Sequence, residues 1–487
     1  VNARGALKSV LSLSIIASIA FIYSCKEEDS PNPGPPVTPV GIGKASNWVT
    51  TGDKSRLLTK GTDIVITELK VVSTPTITID TAIKLQEIEG FGAALTGSSA
   101  YVIHEMSPTQ RTALLEDLFD PQVGIGINYL RMTIGASDFS LSNYSYDDMP
   151  AGQTDEDLSE FSLSRDEEDV VPVLKQIVGI APDLKIMGSP WSPPAWMKTT
   201  DNMVRGKLKS EYFDEYAQYF VKYIEAYEAE GITIDAITPQ NEPLYSTANY
   251  PCTDMPATDQ LTFIRDHLGP VFAAEDIDTK IVTYDHNWDV TTYATSILND
   301  ANAKQYVAGS AFHAYGGNVS AMTTVHNAHP DKGLYFTEIS GGAWATNFSD
   351  NLMWFMQNIF IGTTKNWSKN ALLWNLALNP SFGPTNNGCS NCRGVVTISG
   401  STVTKNEEYY SIGHFSKFIR YGAHRVQSNE FDGSTGLISV AFMNEDNSKV
   451  VVVANTTDQG KTFTVKQGHR QFTQFIGAKS VVTVKWI

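Results

Sequence analysis

Four cysteines in 487 residues are too few to staple a chain of this length into a disulfide scaffold. Positive charge is also scarce, with 36 Lys+Arg against 53 Asp+Glu and a formal net charge of -17. Such a surface repels a phosphate backbone, so no nucleic-acid partner is expected, while a neutral polymer is compatible with it. Long apolar runs are missing. The longest near the start, Val10–Tyr23, falls short of the ~20 residues that span a bilayer. No Gly-rich phosphate loop follows the first strand candidate. His326 and His329 lie three apart without a convincing third ligand, so no metal and no cofactor are expected.

What is present begins with a leader. Arg4 and Lys8 precede the apolar run, a signal-peptide layout over residues 1–24. Ile22-Tyr-Ser-Cys25 resembles a bacterial lipobox, which would make Cys25 the lipidated mature N-terminus. Lys26-Glu-Glu-Asp29 resembles the acidic export signal of surface lipoproteins. Residues 25–44 include the Pro-rich stretch Ser30–Pro39 and read as a stiff tether. The expectation is an exported lipoprotein on the outer membrane, exposed at the cell surface. Cys389 and Cys392 sit in a Gly-bounded loop without the second pair a zinc ribbon needs, so a local disulfide is expected there and Cys252 is left unpaired.

The middle of the chain alternates short apolar runs with amphipathic segments. Eight strand candidates occur at 88–94, 129–134, 185–189, 236–239, 280–284, 309–313, 334–338 and 371–376. Between the third and fourth, Tyr212, Tyr216, Phe220, Tyr223 and Tyr227 recur at three- and four-residue steps, one apolar face of a helix over 210–230. Eight such units over residues 86–394 predict an α/β fold, a (β/α)8 TIM barrel. Residues 45–85 and 395–487 are β-rich with turn signals and predict a side β-sandwich built from both chain ends.

Chemistry in such barrels sits at the C-terminal ends of the strands. Glu242 stands in Thr238-Pro-Gln-Asn-Glu-Pro243 directly after the fourth candidate, and Glu338 ends the seventh. In a closed barrel those two strands face each other. Glycoside hydrolysis needs two opposed carboxyls, about 5–5.5 Å apart when the anomeric configuration is retained and ~6.5–9.5 Å apart when it is inverted. The distance itself is not readable from a sequence.

Longer motifs carry a resemblance. They are Gln86-Glu-Ile-Glu-Gly-Phe-Gly-Ala-Ala-Leu-Thr96, Tyr129-Leu-Arg-Met-Thr-Ile-Gly-Ala-Ser-Asp-Phe-Ser140, Gly188-Ser-Pro-Trp-Ser-Pro-Pro-Ala-Trp-Met-Lys198, Phe312-His-Ala-Tyr315, Trp374-Asn-Leu-Ala-Leu-Asn379 and Gly413-His-Phe-Ser-Lys-Phe-Ile419. Together they resemble glycoside hydrolase family 30, the glucosylceramidase-like family, over nearly everything after the tether. The last motif is expected to extend the match into the flanking sheet.

The resemblance implies a retaining O-glycoside hydrolase with Glu242 as general acid/base, its pKa raised, and Glu338 as an ionised nucleophile. It implies that Asn241 binds the sugar 2-OH, that Arg131 is the cation near the nucleophile, and that Asp138, Trp191 and Trp374 bind hydroxyls of the reacting sugar. His313 and Tyr315 match a pair lining the pocket, and Tyr250 and Trp344 are loop aromatics beside the cleft. For Arg131 a purely structural ion pair, and for the tryptophans core packing, are the alternative readings.

Within the family, Leu373 replaces the acidic residue that animal glucosylceramidases carry before the strand-8 Trp, and the loop Gly383–Gly394 resembles β-1,6-glucanase relatives. The expectation is an endo-β-1,6-glucanase acting on a polysaccharide. Exo-acting β-glucosidase or glucosylceramidase activity, xylan activity, and a non-catalytic surface glycan-binding protein are the alternatives.

Overall fold

A computed structural model describes residues 41–487. The expected signal peptide, most of the expected tether and Cys25 lie outside the described residues. Eight parallel strands form the barrel: β1 (Gly90–Leu95), β2 (Tyr129–Ile134), β3 (Lys185–Pro190), β4 (Ala236–Ile237), β5 (Lys280–Asn287), β6 (Val307–His313), β7 (Gly333–Glu338) and β8 (Asn370–Leu373). Ladders run from β7 through β1 to β8. The β7–β8 seam closes through the bridges Leu334–Ser368 and Ser340–Trp374 and through Asn370 Oδ1, which accepts from Phe336 N at 2.8 Å. Tyr129, Met187, Ala236, Val282, Ala311, Tyr335 and Leu372 point inward and fill the barrel floor with a packed layer.

The tyrosine stripe is buried along the helix Phe213–Ala229 from Tyr216 to Tyr227, while Tyr212 precedes it in a 3-10 turn and stays half-buried. Tyr144, Tyr146 and Tyr227 all donate to the buried carboxylate of Asp166, so the stripe serves packing and one polar anchor.

The sandwich is a ten-stranded sheet whose order interleaves the two chain ends, and pairing of Gly43–Thr50 with Ile64–Glu68 closes it on itself. Its central strand Lys449–Asn455 reads KVVVVAN because both faces are covered. Val451 and Val453 enter the sandwich core, and Val450, Val452 and Ala454 belong to the barrel's.

The stretch after 394, expected to be β-rich and part of the sandwich, also carries a helix. Glu407–Ser416 is a helix buried on every side, packed on β1 and on strand Ser480–Trp486. It supplies the barrel's eighth helix, so residues 413–416 extend the barrel and not the flanking sheet. With no exposed face, its sequence lacks the 3.6-residue alternation by which a surface helix is recognised.

Candidate active site

The strand ends and the loops after them bring a cluster of polar and aromatic groups to one mouth of the barrel. Arg131, inward-pointing on β2 and fully buried, is the hub. Its Nη1 donates to Glu338 Oε2 at 2.5 Å, and its Nη2 donates to Asp285 Oδ2 at 2.7 Å and to Asn241 Oδ1 at 2.8 Å. A buried guanidinium is tolerated because each of these contacts is charge-assisted or well aligned. Tyr315 OH donates to the other oxygen of Glu338 at 3.0 Å. Asn241 has its carbonyl committed to Arg131, which turns the amide Nδ2 toward the cleft.

Glu242 sits in left-handed backbone at φ 43°, and its N–H donates to Asp285 O at 3.0 Å. Tyr284 and Asp285 also have positive φ, 76° and 66°. The pairing of β5 with β6 skips Asp285, so this is a β-bulge. The bulge turns the Asp285 carboxylate into the barrel, where Ser189, Thr238 and Thr337 hydroxyls donate to it at 2.6, 2.7 and 2.7 Å. Three strained non-glycine residues cluster at one site, a pattern characteristic of functional centres.

His313 lies beneath the two glutamates with no exposed surface. Its Nδ1 is 3.3 Å from Glu242 Oε1 and its Nε2 is 3.0 Å from Asp285 Oδ1. One oxygen of Glu242, one of Glu338 and a His313 nitrogen all lie within 4.8 Å of one another. A metal ion could accept that spacing, but both imidazole nitrogens already face carboxylates and both Glu338 oxygens accept hydrogen bonds.

Burial lowers the affinity of His313 for a proton, but the Glu338 charge and the hydrogen bonds to Asp285 and Glu242 outweigh it and lift its pKa to about 9. Burial pushes Glu242 up, yet the hydrogen bond and positive charge of His313, helped by His286 and Arg131, hold it below the ordinary glutamate value. Glu338 is raised, chiefly by burial and further by the Glu242 charge, against the pull of His313 and Arg131. In the resting protein this order is the reverse of the expected one, and the cause is an imidazolium wedged against Glu242. Asp138 is raised well above the usual carboxylate range by burial, with both glutamates adding to it.

Above these groups opens a cleft of about 540 Å³ lined by Asp138, Trp191, Asn241, Glu242, Glu338 and Trp374. Trp191 and Trp374 stack at 4.9 Å between centroids. Tyr250, Tyr315 and Trp344 are on its wall as well, whereas Arg131 and His313 are under its floor. Past Tyr315 and Trp344 the cleft runs on into an apolar trough of about 720 Å³ that includes Trp354. Asp285, His286, Ser189, Thr238 and Thr337 were not singled out in the sequence. The polar run Tyr284-Asp-His-Asn287 ending an apolar strand is the signal that marks the first two.

Two domain models account for nearly all of the described chain. The glycosyl hydrolase family 30 TIM-barrel domain matches residues 88–419, and the family 30 beta sandwich domain matches residues 422–484. The chain belongs to glycosyl hydrolase family 30. Among its relatives is the endo-1,6-beta-D-glucanase neg1 of Aspergillus fumigatus, 37% identical over 415 residues, covering 79% of this chain and 82% of the relative. The lysosomal acid glucosylceramidase of Mus musculus is 29% identical over 482 residues, covering 93% and 90%. The solved endo-beta1,6-glucanase BT3312 superposes with a TM-score of 0.85 at 36% identity, covering 91% of this chain and 99% of that one. The first domain match runs through the helix Glu407–Ser416, in keeping with its place as the barrel's eighth helix.

Proposed function

We propose that this family 30 protein is a retaining endo-β-1,6-glucanase in which Glu242 is the general acid/base and Glu338 the nucleophile. The observation that carries the mechanism is that one oxygen of Glu242 and one of Glu338 come within 4.8 Å across the barrel, close to the ~5–5.5 Å carboxyl spacing of retaining enzymes and short of the ~6.5–9.5 Å of inverting ones. Arg131 and Tyr315 each hold one oxygen of Glu338 and aim the carboxylate into the cleft. It attacks the anomeric carbon while Glu242 protonates the departing glycosidic oxygen. The proton that Glu242 needs is one hydrogen bond away on His313 Nδ1, and the three groups titrate as a unit. Water, deprotonated by Glu242, then releases the glycosyl group from Glu338. The free Nδ2 of Asn241 is placed to donate to the sugar 2-OH, a bond that strengthens in the transition state.

The linkage rests on likeness: the relatives named as endo-1,6-beta-D-glucanases reach 36–38% identity, and the named glucosylceramidases 28–29%. An open cleft continuing into a trough suits an internal cut in a chain. Incubation with β-1,6-glucan is expected to release oligosaccharides, and release of glucose alone would make the enzyme exo-acting. For the Glu338→Gly variant, azide is expected to restore turnover and give the inverted α-glycosyl azide. An unaffected variant would remove Glu338 from the mechanism.

The lipobox-like Ile22–Cys25 supports a lipid anchor in the outer membrane with the enzyme displayed at the cell surface, where polysaccharide is met. Palmitate labelling that is lost in Cys25→Ala is the expected result, and equal labelling of both forms would count against it.

A further inference from the structure

Residues 386–393 form a strap between two walls of the cleft. At one foot, Asn386 N donates to Asp138 O at 2.8 Å and Asn386 Nδ2 donates to Ser137 O at 3.1 Å. Gly388 then lies flat on Asp138, where an added Cβ would come within 2.7 Å of its Cβ and 2.8 Å of its Oδ2. At the other foot, Cys392 and Arg393 pair with Gly342 and Gly341, just beyond Glu338, and Ala343 N donates to Asn391 O at 2.9 Å. Arg393 is fixed in turn by the fully buried Glu408, with Nε–Oε1 at 2.9 Å. The disulfide Cys389–Cys392 closes the strap between its feet. Both sulfur-bearing residues line the cleft and pack with Trp191 and Trp374.

Asp138 needs such a strap. Its Oδ1 is buried without a hydrogen-bond partner among the described residues. A buried carboxyl oxygen left open in a sugar-sized cleft is matched to a ligand hydroxyl. Among the described residues no hydrogen bond holds this carboxyl, so its place depends on the surfaces packed against it, and Gly388 is one of them.

We propose that the Cys389–Cys392 disulfide is a positioning element of the reacting-sugar site: it fixes Asp138 relative to Glu338 by stiffening the strap whose two feet tie the loop after β2 to the loop after β7. The inference rests on the hydrolase reading, and one assay separates the two. Wild-type release of reducing ends from β-1,6-glucan tests the activity itself, and the ratio of variant to wild type tests the strap.

The Cys389→Ser/Cys392→Ser double variant is expected to lose about tenfold or more in kcat/KM, the scale of ångström misplacement in an active site. Asp138→Asn should cost much less in that background than in the wild type, because the carboxyl is already displaced. A merely structural disulfide would lower the melting temperature and leave the two costs equal. Gly388→Ala, with the disulfide intact, is expected to reproduce the loss by pushing on Asp138 directly. Should the double variant fail to fold, dithiothreitol can open the disulfide of the folded wild type. The bond takes two electrons and two protons as the reagent closes to its cyclic disulfide, and reoxidation should restore the rate. Kinetics within about twofold of wild type for both the opened enzyme and Gly388→Ala, or equal Asp138→Asn costs in the two backgrounds, would overturn the proposal.

Discussion

His313 holds its proton because carboxylates surround it, and that sets the alkaline behaviour of the site. Its pKa is raised from 6.5 to about 9, so the imidazolium and its bonds to Glu242 and Asp285 are intact below 6.5 and are lost as pH rises through 9. The rate on β-1,6-glucan should fall along that limb. Asp285→Asn removes one of the charges that lift His313, and the limb should move to lower pH by about one unit or more. A pH profile of kcat/KM reads this independently of the variant's overall rate. An unmoved limb would assign the transition to another group. At this scale the two glutamates were legible because motif and strand position agree. Asp285 was not, since the bulge that turns it inward is set by the backbone at Tyr284 and Asp285 and by three hydroxyls from β3, β4 and β7. Nor was the low resting pKa of Glu242, which depends on an imidazole 71 residues away along the chain.

Elements were read well where period and position coincide. All eight barrel strands fall on their expected segments, even β4, whose ladder is two residues long but whose polar continuation Thr238–Glu242 marks its end. The strand Gly43–Thr50 falls in the β-rich stretch expected over 45–85, but its own bounds are hard to read because Asn47 stands between Ala45 and Val49 on its buried face and blurs the alternation. The eighth helix was missed for the opposite reason, having no exposed face to alternate with. Close packing between strands is equally silent in a sequence. Gly92 on β1 lies against the Tyr129 carbonyl of β2, and a Cβ there would overlap it. Gly92→Ala therefore has to push β1 and β2 apart at the base of the site. It should cost about 1–3 kcal/mol in chemical denaturation, the usual scale of overpacking. A cost under a few tenths would mean that β1 shifts freely, against the packing seen around it.

For the whole molecule, the barrel and the sandwich share one apolar seam. Trp48 of the sandwich meets Phe418 at 4.5 Å between ring centroids, and Phe415 meets Phe442 at 6.1 Å. One titratable group is sealed in this seam. His414, on the eighth barrel helix, faces the Thr483 hydroxyl with Nδ1 and the Thr50 hydroxyl with Nε2, both at 2.8 Å. Thr483 spends its own proton on His414 O and Thr50 already accepts from Leu58 N, so the contacts suit a neutral ring protonated on Nδ1. Burial, with no carboxylate nearby to offset it, depresses its pKa to about 3. The folded state therefore refuses a proton that the unfolded chain accepts near 6.5. The stability linked to the neutral ring is present above 6.5 and drains away as pH falls toward 3. Between pH 7 and pH 5 this single residue should remove about 2 kcal/mol. Urea unfolding of the wild type and of His414→Gln at both pH values isolates it: the variant starts less stable, but its loss on acidification should be smaller by that amount. Equal losses in the two proteins would place the acid-sensitive group elsewhere. A smaller loss in the variant would assign that share of the acid sensitivity to this seam.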